Sequence, residues 1–332
     1  MLAFLGVLIV IVAALGLVGA AVFSRFWEQN NRPKELAIQV GEQRYNLGYY
    51  SHRATMFLDS IGGRGSQFAQ PSLLLPQVSA NIIEEGVALQ YAADEGVTAT
   101  PDEVDASIRN KISVAISTPS PAAGASGTDA GQAVASVLAQ QKTFESIYRG
   151  QLEQSGLNDQ EYRSMTLAQL LISKLKDKFK AAVPAAAESI HYEQILVRDP
   201  SSADDIVRRL NSGEDFAVIA RQLSLDTSTR DKGGDVGWVA RGGLDPASEA
   251  LLFSLPPGAI QKSTSAQGTF VYKIIEKANS RPLEDTMKQR VADQSYTNWL
   301  QSKLQSVPVR NELDLTSGNV DKIKWVAGKV FG

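Results

Sequence analysis

The stretch RDKGGDVGWVARGG, residues 230–243, restricts the surrounding fold more than any other part of this 332-residue chain. Gly233, Gly234 and Gly237 surround an aspartate and lead into the apolar run VGWVA. The glycines supply backbone conformations that residues with a Cβ avoid. Asp235 is expected to tie the turn through local hydrogen bonds and Trp238 to pack a sheet. The chain must therefore turn sharply into a strand here. Phosphate binding, the other use of a glycine cluster, needs a preceding strand, a following helix and a lysine directly after the glycines, and all three are missing from the pattern.

The flanking segments extend this unit. IHYEQILV, 190–197, reads as a strand. SSADDIVRRL opens a helix, with Ser202 as the expected N-cap and Asp205 in the reciprocal position. GEDFAVIARQLS opens another, with Phe216, Ile219, Ala220 and Leu223 at i, i+3, i+4 and i+7. A short helix DPASEALLF, the turn LPPG and the strand GTFVYKIIEK follow. The order β-α-α-β-α-β over roughly 90 residues predicts a small α+β domain whose helices cover a twisted sheet.

Helical signals dominate upstream. LAIQVGEQRYNLGYYSHRATMF, 36–57, reads as a short β-rich piece turning into a helix. Thr100 with Pro101 and Glu103 forms a capping box with proline at the first helical position. Val104, Ile108 and Ile112 then repeat on one apolar face. Asn158 and Glu161 start another helix, with Leu167, Leu170, Leu171 and Leu175 expected to face inward and lysines near its end. Residues 117–136, rich in Ser, Ala, Gly and Pro, read as a mobile insert. Residues 181–188, AAVPAAAE, read as a hinge. Beyond the α+β unit, Met287, Val291, Tyr296 and Leu300 have helical spacing, so the helical domain is expected to be discontinuous around an inserted α+β unit.

From Leu2 to Phe23 there is no charged residue, which exceeds the roughly 18 apolar residues that suggest a spanning helix. Arg25, Arg32 and Lys34 follow. The run reads as an uncleaved anchor. The alternative is a cleaved signal peptide ending at Ala20. Either reading favours a body outside the cytoplasm, although charge asymmetry does not orient the chain.

Composition removes many functions. With 43% hydrophobic and 21% charged residues, most of the chain can bury a core, and its length suggests about two domains. The net charge of −3 leaves no basic footprint for nucleic acid. There is no cysteine, hence no thiol nucleophile, disulfide or Cys-based metal site. Two histidines, His52 and His191, are far apart, and no H-E-x-x-H, Walker A, G-x-G-x-x-G or G-x-S-x-G pattern occurs.

The pieces HYEQILV, LNSGEDFAVIARQLSLD, KGGDVGWVARGGL, SLPPGAI and GTFVYKIIEK resemble, in order and spacing, the parvulin (PpiC or rotamase) family of peptidyl-prolyl cis-trans isomerases. ELAIQVGEQRYNLGYY and ANIIEEGVALQYAADEGVTATPDEVDASI look like the helical module of SurA- and PrsA-like foldases. The resemblance implies a transmembrane anchor (1–24), a helical chaperone module (35–180), an inserted parvulin domain (186–280) and a closing helix and tail (283–332) that packs back on the module. It implies no cofactor and no metal, and a partnership with unfolded or newly exported polypeptides. Oligomeric state is left open.

Carried over residue by residue, Asp226 matches the family's aspartate after the second helix. Val236 and Leu244 match the apolar lining of its proline slot, and Phe253 joins them as a substrate-side candidate. Three positions depart from the pattern. Gln194 and Phe270 stand where the family has histidines, and Ser248 stands where it has an aromatic slot wall. His191 cannot replace the first histidine, because strand alternation points it to the opposite face from Gln194. Asp226 and Gln194 are thus the candidate catalytic pair, with Val236, Leu244, Ser248, Phe253 and Phe270 lining the substrate site. The expected function is prolyl isomerisation within an anchored foldase. The alternative is a chaperone whose parvulin domain binds clients with little catalysis, and a tethered scaffold subunit is a third reading.

Overall fold

The structure, a computed structural model, describes residues 26–67, 69–113 and 130–332 together with Ala20, Val22 and Phe23. Nearly all of the apolar run 2–23 and residues 117–129 of the expected insert lie outside the described residues. Residues 130–136, expected in that insert, open a helix. Among the described residues no helix is long and apolar enough to cross a membrane. The chain forms two compact units, one of residues 1–174 with 303–332 and one of residues 175–302.

The first unit begins with the hairpin β1 (Leu36–Val40) and β2 (Gln43–Asn46), which runs directly into α1 (Leu47–Ser60). Asn46 caps that helix by accepting from the Tyr49 amide at 2.8 Å. Then come α2 (Pro71–Tyr91), α3 (Pro101–Ser113), α4 (Ala130–Ser155) and α5 (Asp159–Ala181). Both expected capping boxes form. The Thr100 amide donates to Glu103 at 2.8 Å and the Glu103 amide to Thr100 at 3.2 Å. The Asn158–Glu161 pair makes the same exchange at 3.0 and 2.9 Å. Val104, Ile108 and Ile112 are buried as the spacing requires. On α5 the buried stripe is Tyr162, Met165, Ala168, Leu171 and Leu175, whereas Leu167 and Leu170 are only half-buried. The stripe's phase is set by neighbours that the pattern of leucines alone does not reveal. At the centre, Arg53 makes two hydrogen bonds to Glu85, at 2.6 and 2.7 Å, and a third to the Tyr49 hydroxyl at 2.7 Å.

The tail completes this unit. After α9 (Asp285–Ser306), β7 (Val309–Asn311) pairs antiparallel with β1, giving the strand order β2-β1-β7. The last helix, α10 (Val320–Phe331), buries Val326 and Val330. Lys322 on it donates to the Leu36 carbonyl at 3.0 Å and pairs with Glu312 at 3.1 Å. The C-terminal segment is therefore an edge strand and helix of the first unit.

The second unit is a four-stranded antiparallel sheet in the order β4-β3-β6-β5. Its strands are β3 (Ala186–Val197), β4 (Asp235–Ala240), β5 (Ile260–Ser265) and β6 (Gly268–Pro282). β5, IQKSTS, is not expected from the sequence, because it carries no apolar run and its one hydrophobic residue, Ile260, is only half-buried. The expected hinge at 181–188 is partly ladder. Ala186 pairs with Pro282, and the Leu283 amide donates to the Ala185 carbonyl at 2.8 Å, so the two connections to this domain are zipped together.

Alternation along β3 and β6 creates two cores. Ile195, Val197 and Val271 face α6 (Pro200–Asn211) and α7 (Phe216–Leu223), meeting Ala203, Ile206, Phe216 and Ile219. Ile190, Tyr192, Tyr272 and Ile274 face the other way and meet Leu252 and Phe253 of α8 (Pro246–Ser254). α6 starts earlier than expected: Asp199 is the N-cap, Pro200 opens the first turn, and Ser202 donates its amide and hydroxyl to Asp199 instead of capping. Leu223, expected on the buried stripe of α7, is 42% exposed because the helix ends there.

Candidate functional site

The glycine loop puts β4 against the backbone of β3. Gly234 has φ +86°, and a Cβ there would stand 2.6 Å from the Gln194 carbonyl oxygen and 2.9 Å from Phe216. Only hydrogen fits, and the approach lets the Gln194 amide donate to the Gly234 carbonyl at 2.8 Å. Asp235 ties the turn as expected, accepting from the Gly237 amide at 2.8 Å. It also pairs with His191 at 2.7 Å. His191 lies against Trp238, with ring centroids 5.7 Å apart, and Arg281 covers the Trp238 ring at 4.5 Å. His191 thus belongs to a structural cluster on the face away from Gln194.

Asp226 lies in the loop between α7 and β4. Its Oδ2 accepts from Gln194 Nε2 at 2.7 Å and from the Thr229 hydroxyl at 2.5 Å. Its Oδ1 accepts from the amide and hydroxyl of Ser228, at 3.0 and 2.6 Å. Burial pushes this carboxyl up, but hydrogen bonds from Ser228, Thr229 and Gln194 outweigh burial and hold it at about 2. It is a carboxylate under all ordinary conditions and has its acceptor sites filled.

Gln194 is half-buried on β3, opposite Tyr272 in the ladder. Tyr272 belongs to the second core, whose margin contains half-buried Val236, Leu244, Leu251 and Phe270. Phe270 stacks on Tyr272 with centroids 5.6 Å apart, and Tyr192 meets Tyr272 edge-on at 6.0 Å. The fold therefore brings Val236, Leu244 and Phe270 to one apolar margin. Ser248 sits in the first turn of α8, its amide donating to the Asp245 carboxylate at 3.0 Å. Phe253 differs: it is buried, 5% exposed, and the Arg241 guanidinium lies over its ring at 4.3 Å. It supports the site from the core and does not line it.

The side chains not expected from the sequence are Tyr192, Tyr272, Ser228 and Thr229. Period-two alternation held a signal for the tyrosines, since Tyr192 precedes Gln194 by two and Tyr272 follows Phe270 by two. No pattern announced the loop hydroxyls. Among the described residues no group of three or more His, Asp or Glu side chains is arranged to hold a metal ion.

Residues 159–278 match the family described as PPIC-type PPIASE domain. Over 121 residues the chain is 37% identical to "Foldase protein PrsA" of Caldanaerobacter subterraneus subsp. tengcongensis, a match covering 32% of this chain and 39% of that protein. It is 36% identical over 111 residues to "Chaperone SurA" of Legionella pneumophila, covering 30% of this chain and 26% of that one. The chain thus spans about two fifths of the first relative's length and about a quarter of the second's. Among solved structures it is similar to peptidylprolyl isomerase (PrsA) from Bacillus anthracis, at 19% identity over 68% of this chain and 95% of that one, with a TM-score of 0.44.

Proposed function

We propose that this chain, which carries a PPIC-type parvulin domain and is similar to PrsA and SurA foldases, is a foldase that isomerises X-Pro bonds of unfolded polypeptides outside the cytoplasm. The observation that carries the reading is the bonded Asp226–Gln194 pair, joined through Tyr272 to the apolar margin of Val236, Leu244 and Phe270.

Rotation about an X-Pro bond is slow because it breaks amide resonance, at a barrier of about 18–20 kcal/mol. It requires no nucleophile and no metal. An apolar slot desolvates the proline ring, and polar groups at its edge favour the twisted amide over the planar one. The half-buried apolar residues supply the slot. Asp226, with its acceptor sites filled, holds Gln194 in place and is a positioning residue.

The uncharged run 2–23 supports membrane tethering, and the helical first unit supports client binding. The test of the activity is the exchange rate of an X-Pro peptide with the full chain in detergent. Acceleration is expected. A rate at the uncatalysed baseline, with aggregation of an unfolded client still suppressed, would leave the chaperone reading that Gln194 and Phe270 favour. Resistance of the chain to alkaline extraction from membranes tests the tether, and release would refute it.

A further inference from the structure

A hollow of about 310 Å³ opens among four helices of the first unit, α1, α2, α3 and α5. Met56 and Phe57 reach it from α1, Val78 from α2 and Met165 from α5. Val78 and Met165 are buried, whereas Met56 and Phe57 are half-buried at its mouth. The volume lies at the lower end of the roughly 300–1,000 Å³ typical of ligand pockets. Methionine is unbranched and polarizable, so a wall containing two of them adapts to apolar groups of different shape.

The charges around this hollow have one sign. No residue lining it is acidic, whereas Arg53 and Lys111 are cationic. Glu85 neutralises Arg53 through the hydrogen bonds at 2.6 and 2.7 Å. Lys111, on α3, has no such partner. Its ammonium donates to Gln169 Oε1 at 2.8 Å, and among the described residues no carboxylate pairs with it. Partial burial pushes this ammonium down, Glu85 pulls it part of the way back, and Arg53 pushes it down again. An ammonium has three donors, so two are left for a ligand. An apolar interior therefore lies beside a cation that lacks its counter-charge.

We propose that this hollow is a client subsite, which takes an apolar side chain of an unfolded polypeptide while Lys111 pairs with an acidic side chain next to it. The apolar side chain covers Met56 and Phe57, and the client carboxylate supplies the charge that Glu85 gives to Arg53. The proposal rests on the foldase reading above and names the chemistry by which its helical unit selects a segment.

The test uses the full chain in detergent and fluorophore-labelled, unstructured, proline-free peptides that differ only in a central Leu-Glu, Leu-Gln, Leu-Lys or Ser-Glu pair. Fluorescence anisotropy should show the Leu-Glu peptide binding about two- to fivefold tighter than Leu-Gln, the range of one partly exposed ion pair. Ser-Glu should bind more weakly than Leu-Glu, and F57A should weaken Leu-Glu and Leu-Gln to the same extent. K111Q should melt close to wild type and bind Leu-Glu and Leu-Gln equally. K111E should turn the preference toward Leu-Lys. Equal affinity of the wild-type chain for Leu-Glu and Leu-Gln, or a preference that survives K111Q, would overturn the proposal. A dimer in sedimentation that K111Q dissociates would seat a second copy in the hollow and also overturn it. A Leu-Glu preference abolished by K111Q, in a chain whose X-Pro exchange stays at the uncatalysed rate, would uphold the subsite and refute the isomerase alone.

Discussion

Gln194 donates to Asp226 across 2.7 Å, joining the first strand of the domain to the loop after its second helix. Because Asp226 also holds Ser228 and Thr229, one carboxylate organises the loop that borders the proposed substrate site. Replacing it removes the anchor of Gln194. Asp226→Ala should lower kcat/KM for an X-Pro peptide by about ten- to a hundredfold, the range for hydrogen bonds of about 1.5–3 kcal/mol to a charged group. Peptide exchange measured by NMR checks this, and an unchanged rate would dissociate the pair from activity.

The site contains no histidine, since His191 lies on the opposite face with Asp235 and His52 lies in the other unit. Isomerase activity is therefore expected to be flat between about pH 5 and 8, where histidine sites titrate. Asp226 sets the acid side. Its folded value of about 2 is depressed below the usual 3.8, so its stabilising contribution is present above the unfolded value and is lost as pH falls through the folded one. The melting-temperature difference between wild type and Asp226→Asn should be full at pH 5–7 and shrink as pH falls from about 4 to 2. A bell-shaped rate profile centred near neutrality would contradict the assignment.

Gly234 and Gly237 both have positive φ, yet they should respond differently to alanine. At Gly237 an added Cβ meets nothing within 4 Å, so the cost is the left-handed backbone alone, about 1–2 kcal/mol. At Gly234 the same backbone cost is joined by collision with the Gln194 carbonyl and Phe216. Thermal melting of Gly234→Ala should fall well below that of Gly237→Ala. Equal melting points would mean that the close approach of β4 to β3 is not constrained there.

Arg53 and Glu85 form a buried, doubly hydrogen-bonded ion pair inside the first unit, with side-chain exposures of 9% and 6%. Removing one partner leaves a buried charge, so Glu85→Leu or Arg53→Met alone should destabilise by about 3–5 kcal/mol. The double replacement should recover most of that loss, because both desolvated charges disappear together. Denaturant titration of the two singles and the double gives the coupling directly, and strict additivity would remove the pair from the account of this core.

What was legible in the sequence lies within a few residues along the chain. The boxes at Thr100–Glu103 and Asn158–Glu161 form as their spacing requires, and Gly233, Gly234 and Gly237 all adopt positive φ. Asp226, Gln194, Val236, Leu244 and Phe270 could be named because a family pattern carried them. Errors appear where a neighbour outside the segment decides. Ser202 lost the cap to Asp199, which had a proline behind it, and Phe253 proved to be core under Arg241.

By itself the sequence determined most of the helices, the strands β3, β4 and β6, the turns that glycine alone can make, and a candidate site without histidine, because local backbone preference and side-chain chemistry act within a turn or two. Only the tertiary structure decided that β7 closes the sheet of the first unit, that β5 exists as an edge, and that Tyr272 stands across from Gln194. Those facts depend on ladder register and on burial between segments distant in the chain, where the gain in packing and hydrogen bonding outweighs weak local preference.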